Sequence, residues 1–156
     1  MSRRIDARDA EIYREHGPGL IRFATGLVGP SDAPDVVQTA VIRAFTARGW
    51  AAVENPRAYL YRTVLNVARS EHRSTMRRRA REVRAVAVGV HENPEVRPEV
   101  LEAVGSLSPR QRAVVYLTYW EDLDEATVAA TLGIGRGSVR RHLARGREKL
   151  RSRLDE

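Results

Sequence analysis

Hydrophobic positions in this chain recur with the spacing of helices. Ile12, Leu20, Phe23, Ala24 and Leu27 place one apolar face on a segment running from 7 to 27. Gly17-Pro18 interrupts it, so the segment is either one kinked helix or two shorter ones. Gly29-Pro30 ends it, and Ser31 or Asp32 caps a second helix over about 33–48. That helix turns Val36, Val37, Ala40, Val41, Ala44 and Phe45 inward. Asp35, Gln38, Thr39 and Ile42 approach its other faces, which are either half solvated or docked on a partner. Arg48-Gly49-Trp50 breaks the pattern, and a loop leads to Asn55-Pro56, an N-cap followed by a first-turn proline. The third helix, 57 to about 81, is the longest. Leu60, Val64, Val67 and Ala68 line one side, while Arg62, Asn66, Arg69, Arg73 and Arg77, spaced 4, 3, 4 and 4, form a cationic stripe.

The last third repeats the helical pattern in shorter pieces. Residues 99–105 form a short lead-in helix. Ser108, Pro109 and Gln111 make a capping box that opens a helix running to Trp120. Asp124 caps the next helix, 125–132, and Gly133 stops it, because a left-handed residue after a helix is cheap for glycine. A final helix begins near Arg136, with Val139, Leu143, Gly146, Leu150 and Leu154 on one face. Arg136, Ser138, Arg140, Arg141 and Arg145 lie off that stripe. A short helix, a glycine turn and a basic amphipathic helix describe a helix-turn-helix that reads DNA; the plainer alternative is a solvated helix in a bundle.

Charge sharpens this division. The 156 residues carry a net charge of +7, and Lys149 is the only lysine among the 27 basic residues. Arginine favours bidentate contacts to phosphate and guanine, although a GC-rich genome produces the same bias. Residues 1–81 hold 15 basic and 8 acidic side chains, 82–103 hold 2 and 5, and 104–156 hold 10 and 7. Two basic blocks therefore flank an acidic middle that contains Gly89, Pro94 and Pro98 and reads as a linker. The expected organisation is all-α: a helical bundle over 6–81, a flexible acidic linker over 82–98 and a helix-turn-helix domain over 99–154. The crowding of six arginines between 69 and 81 is unfavourable at helical spacing and calls for a counter-charge, most simply a phosphate backbone. Tyr59 and Tyr61 either stack on bases or pack in the core.

Chemistry of other kinds finds little support. The chain has no cysteine, so disulfides, thiolate metal sites and cysteine nucleophiles are excluded. The four histidines occupy four segments without ligand spacing, and no glycine-rich phosphate loop or hydrolase motif occurs. Neither catalysis, nor a metal, nor a cofactor is expected. No apolar run approaches the roughly 20 residues of a membrane span, and the N-terminus lacks the apolar core of a signal peptide. A cytoplasmic protein without a membrane partner is expected by default.

Three stretches in order, DVVQTA (35–40), NPRAYLYRTVLNVARSEHR (55–73) and residues 107–151 with RQRAVV and YWEDLDEA, resemble RNA polymerase sigma factors of the sigma-70 family. The likeness is to the small extracytoplasmic-function (ECF) kind, and within it to the actinobacterial sigma-E-like group. It covers about residues 10–153 and implies two domains, regions 2 and 4, joined by a linker. It implies a promoter-specificity subunit that is monomeric when free, with core RNA polymerase and promoter DNA as partners. Asp35 and Gln38 would meet the β′ clamp helices, with Thr39 standing where the family often has an acid. Trp50, Arg57, Tyr59, Arg62, Asn66, Arg69 and Arg73 would melt and hold the −10 element, Asn66 gripping a flipped base. Arg136, Ser138, Arg140, Arg141 and Arg145 would read the −35 element, with Gly135 where the family commonly has a serine cap. The surface near Leu117 and Trp120 would face the β flap. Many relatives are held by an anti-sigma factor wedged between the domains, and the resemblance leaves such a partner open.

Two competing readings remain at this point. A dimeric helix-turn-helix regulator would bind palindromic operators without polymerase. A small DNA recombinase would need a catalytic residue, for which Tyr59 and Tyr61 beside Arg57 and Arg62 are the only candidates.

Overall fold

The computed structural model describes residues 3–81 and 98–155; the expected linker, all but Pro98, lies outside them. The described elements are α1 (Ala7–Val28), α2 (Ala33–Thr46), a 3₁₀ turn (Trp50–Ala52), α3 (Pro56–Arg81), α4 (Pro98–Gly105), α5 (Pro109–Tyr119), α6 (Glu125–Leu132) and α7 (Arg136–Leu154). No strand occurs among the described residues. The all-α expectation holds.

Local chemistry explains most boundaries. Asp6 caps α1 in a reciprocal box: its carboxylate accepts from the Asp9 amide at 3.1 Å, and the Asp9 carboxylate accepts from the Asp6 amide at 3.0 Å. Pro18 sits inside α1 without splitting it, so the two-helix alternative falls. Asp32 occupies the N-cap of α2 but makes no side-chain cap bond, and α2 ends at Thr46, two residues early, because Ala47 turns extended. Asn55 caps α3, its Oδ1 accepting from the Ala58 amide at 3.0 Å. The Ser108–Gln111 box on α5 and the Asp124 cap on α6 form as the sequence predicts. Gly133 ends α6 at φ +67°, where a β-carbon would be strained.

Helices α1, α2 and α3 form a bundle around Leu20, Phe23, Val36, Val37, Leu60 and Val64, all fully buried. Helices α4 to α7 enclose a smaller core of Leu107, Ala113, Val114, Leu117, Val128 and Val139. Gly146 lets α7 close on α5; a β-carbon there would lie 3.1 Å from a Val115 methyl. Beyond it the apolar stripe of α7 fades, with Leu150 half-buried and Leu154 exposed. The two cores touch: α5 packs on α1 and α3, and α6 packs on α3.

Candidate nucleic-acid interface

The opposite side of α3 from its core residues carries the cationic stripe. Arg62, Asn66 and Arg73 are exposed, whereas Arg57, Arg69 and Tyr59 are half-buried. The side chain of Arg77 falls outside those described. Trp50 departs from expectation. It is completely buried, its indole N–H donates to Asp9 Oδ1 at 2.8 Å, and Phe45 and Tyr59 pack on its ring. It therefore anchors the loop before α3 and offers DNA no surface. An exposed stacking tryptophan and a buried anchoring one look alike in sequence. The signal that separates them is Asp9, an acid on the inner face of α1 whose only local partner is the Asp6 amide, leaving Oδ1 for the indole. Tyr61 resolves the same way, buried with its ring 4.8 Å from that of Phe23.

Asp9 is the buried polar hub of this half. Arg3 Nη1 donates to its Oδ2 at 2.6 Å while Trp50 holds Oδ1. Burial alone would raise the carboxyl, but the bonds from Arg3, Trp50 and the Asp6 amide outweigh it and hold the group below its ordinary value. The N-terminus, α1 and the loop feeding α3 are thus tied at one point.

Asp35 and Gln38 are exposed on α2, as predicted, and Ile42 lies beside them at 48% exposure. Glu71 on α3 joins this face; burial first, then Asp32 and Asp35, raise its carboxyl. Sequence inspection missed Glu71 because it is one acid within a run of arginines. Next to this acidic edge, Ile5, Tyr13, Val41 and Phe45 line an apolar groove.

In the C-terminal half, α6 and α7 form the helix-turn-helix. Arg136, Arg140, Arg141 and Arg145 are exposed, and Ser138 is half-buried. Glu125 accepts from Arg136 Nε and Arg140 Nε at 3.0 Å each, and its carboxyl is lowered, first by the Arg136 bond. Arg141 donates to the Ser138 hydroxyl at 3.0 Å. On the outer face of α7, Arg136 and Arg140 are thereby paired with Glu125, and Arg141 with Ser138. Gly135 supplies no side-chain cap. Leu117 is buried in the core and cannot be a docking residue, while Trp120 is 75% exposed beside Tyr119.

A helix-turn-helix with an arginine array and a separate helix with an Arg/Asn stripe are present on one chain, in that order. Two family models match the same halves: "Sigma-70 region 2" over residues 12–79 and "Sigma-70, region 4" over residues 97–150. The chain belongs to the sigma-70 family of RNA polymerase sigma factors. It is 31% identical to the RNA polymerase sigma-E factor of Streptomyces antibioticus, covering 93% of this chain and 83% of that one. It is 32% identical to the sigma-E factor of Streptomyces coelicolor over 92% and 84% of the two chains. The ECF RNA polymerase sigma factor SigE of Mycolicibacterium smegmatis is 31% identical, with 92% of this chain matching 60% of that protein. Among solved structures, the sigma factor RpoE bound to the anti-sigma factor NepR from Bartonella quintana shares the fold at a TM-score of 0.65. The two are 24% identical, over 94% of this chain and 96% of that one. CnrH in complex with the cytosolic domain of CnrY gives a TM-score of 0.59 and 25% identity, over 94% and 87% of the chains. In sigma terms, α1–α3 is region 2 and α4–α7 is region 4.

Proposed function

We propose that this chain is an ECF sigma subunit that binds core RNA polymerase and directs transcription initiation at its own promoters. The observation that carries the reading is the pairing of two different cationic faces on one chain, within matched regions 2 and 4. Region 4 presents Arg136, Ser138, Arg140, Arg141 and Arg145 to the −35 duplex, where guanidiniums suit guanine edges and phosphates. Region 2 presents Arg57, Arg62, Asn66, Arg69 and Arg73 to the −10 strand, with Tyr59 at the rim. The Asn66 amide is the group suited to hold an extruded base, and the arginines are suited to the displaced backbone. Trp50 supports this face from within.

Asp35 and Gln38, with Glu71 and the apolar groove beside Ile42, form the surface for the β′ clamp helices. Trp120 and Tyr119 form the surface for the β flap. An anti-sigma factor is a further partner, as in the solved RpoE–NepR complex. The protein carries no catalysis of its own, since polymerase supplies the chemistry, and its place is the cytoplasm, where polymerase works. No helix among the described residues is long and apolar enough to cross a membrane. The proposed domain limits are 6–81, 82–98 and 99–154. The stripe on α3 disfavours the dimeric regulator, because a dimer face would bring these cations together.

Run-off transcription on pooled genomic DNA from the source organism, with and without this protein added to core polymerase, tests the reading. New discrete start sites that depend on the protein are expected. Tight binding to palindromic duplexes without polymerase, and no new starts, would transfer the argument to the regulator.

A further inference from the structure

One cluster of cations lacks a counter-charge. The α4–α7 half rests on α1 and α3 through defined contacts: Arg62 Nη2 donates to the Ala130 carbonyl of α6 at 3.2 Å, and Arg112 of α5 donates to the Leu27 carbonyl of α1 at 2.5 Å. The same packing brings Arg69 of α3, Arg110 of α5 and His142 of α7 within electrostatic range of one another. Three helices thus contribute one side chain each to one junction, and all three side chains are half-buried. Arg73 acts on Arg69 from one side, and Arg141 and Arg145 act on His142 from the other.

The junction differs from a solvated basic face in two respects. Elsewhere arginines meet acids: Arg57 meets Glu121, Arg136 and Arg140 meet Glu125, and Arg153 meets Glu102. Among the described residues, Arg69, Arg73, Arg110, Arg141 and Arg145 form no ion pair. Burial first, and then the neighbouring arginines, push the Arg69 guanidinium and the His142 imidazole below their ordinary values. The second respect is unmet hydrogen bonding. Arg110 Nε and His142 Nδ1 are buried without a hydrogen-bond partner among the described residues. Arginines on a solvated face keep their charged heads in water. An unpaired buried polar atom is costly, and like charges held together add to the cost. A single anion relieves both.

The donor set selects the anion. Guanidiniums present forked N–H groups that match phosphate oxygens, and a charged imidazole adds a further donor. Several cations around one point call for more than one negative charge. The half-buried setting calls for a compact ligand, since a phosphodiester chain carries a sugar on either side of every phosphate.

We infer that the junction of α3, α5 and α7 is a binding site for a compact polyphosphate anion, held by Arg69, Arg110 and His142 and rimmed by Arg73, Arg141 and Arg145. Inorganic polyphosphate and the phosphate end of a nucleotide share this chemistry. The site stands on the fold and does not depend on the sigma reading. One consequence does: Arg69 and Arg73 belong to the −10 set and Arg141 and Arg145 to the −35 set, so a seated anion competes with promoter DNA.

The test titrates pyrophosphate into the full chain by calorimetry at fixed ionic strength. Saturable binding is expected, with a rise in the thermal midpoint, because a ligand that binds only the folded form stabilises it. Arg110→Gln and His142→Gln lie outside both DNA sets. Each is expected to weaken pyrophosphate binding about tenfold, the worth of one charge-assisted hydrogen bond. The charges that Arg110 meets at the junction are cationic, so Arg110→Gln is expected to keep or raise the midpoint of the ligand-free protein. Arg14→Gln removes the same charge from an exposed position on α1 and is expected to leave binding unchanged. Equal weakening by Arg14→Gln and Arg110→Gln would overturn the site, leaving only general attraction to a basic chain. Sulfate matching pyrophosphate at the same ionic strength would overturn it too. ATP binding more tightly than pyrophosphate would make a nucleotide the source, and equal binding would make it the polyphosphate alone. A short single-stranded oligonucleotide that needs Arg110, with no binding of pyrophosphate, would give the cluster to DNA and overturn the proposal. Should Arg110→Gln fail to fold, His142→Gln decides alone. Failure of the sigma reading shows elsewhere, as absent start sites in run-off transcription with pyrophosphate binding intact.

Discussion

Region 2 and region 4 hold their charged groups in opposite ways. In region 2 the decisive carboxylate, Asp9, is sealed in the core, and through Trp50 it fixes the loop that launches α3. In region 4 the decisive carboxylate, Glu125, stays near the surface and braces two arginines of α7. A buried hub contributes mainly to fold, because removing it strands its partners. A surface brace contributes mainly to aim, because water replaces it at little cost. The difference suits the two tasks: region 2 must resist deformation while it separates strands, and region 4 must place guanidiniums in an intact groove.

The largest expected effect breaks the buried side of that contrast. Asp9→Ala leaves the Trp50 indole N–H without a partner and removes one arm of the α1 capping box, together worth about 3 kcal/mol. Urea melts followed by intrinsic fluorescence check it, since Trp50 is buried and Trp120 exposed. An unchanged midpoint would demote Asp9 to a bystander. Glu125→Gln is the matched control and is expected to leave the melt nearly unmoved while loosening −35 recognition.

Next in size are the contacts with DNA. Arg140→Ala is expected to cost about 1–3 kcal/mol at a matched −35 site if the side chain reads a base. A loss of equal size on every sequence would make it a phosphate contact, and region 4 would then aim less finely than the contrast requires. Asn66→Ala is expected to slow open-complex formation by about tenfold, one hydrogen bond to an extruded base, while closed-complex binding changes little. Equal losses in both steps would remove the base-gripping role and leave α3 a purely electrostatic surface.

The uneven legibility of the chain follows the same divide. Helix existence, caps and the helix-turn-helix were readable because each depends on neighbours in sequence: Ser108 with Gln111, Asp124 with Thr127, and Gly133 at its turn. The cationic stripe on α3 was readable from spacing. Trp50 and Leu117 were misplaced toward the surface, and Tyr61 was left open between stacking and core, because what buries them comes from distant segments. The Asp9–Trp50 bond joins residues 41 positions apart, and Arg62 meets Ala130 across 68. The contacts of α3 with region 4 left no sequence signal, since Arg57 and Arg62 were already assigned to DNA and one partner, the Ala130 carbonyl, is backbone.

The smallest expected effect separates the two halves by pH. Burial first, then Arg110, Arg145, Arg141 and Arg69, hold the His142 imidazole below its ordinary 6.5. The unfolded chain therefore takes up the proton first, and the stability of region 4 falls as pH drops below about 6.5, until the folded form is protonated too. Asp9 has the opposite chemistry and a lower window. Its carboxyl is depressed below 3.8, so its contribution is present above that value and is lost as pH falls through the depressed one. Between these windows region 4 loses stability while the region 2 hub stays intact. The thermal midpoint of region 4 is expected to decline modestly from about pH 7.5 to about pH 5.5 with the melt of region 2 unchanged, and His142→Ala is expected to flatten that decline. A decline that persists in His142→Ala would assign it to other groups. A region 2 melt that shifts together with that of region 4 would mean that the halves are one cooperative unit, with no surface-braced region 4 to set against a buried-hub region 2.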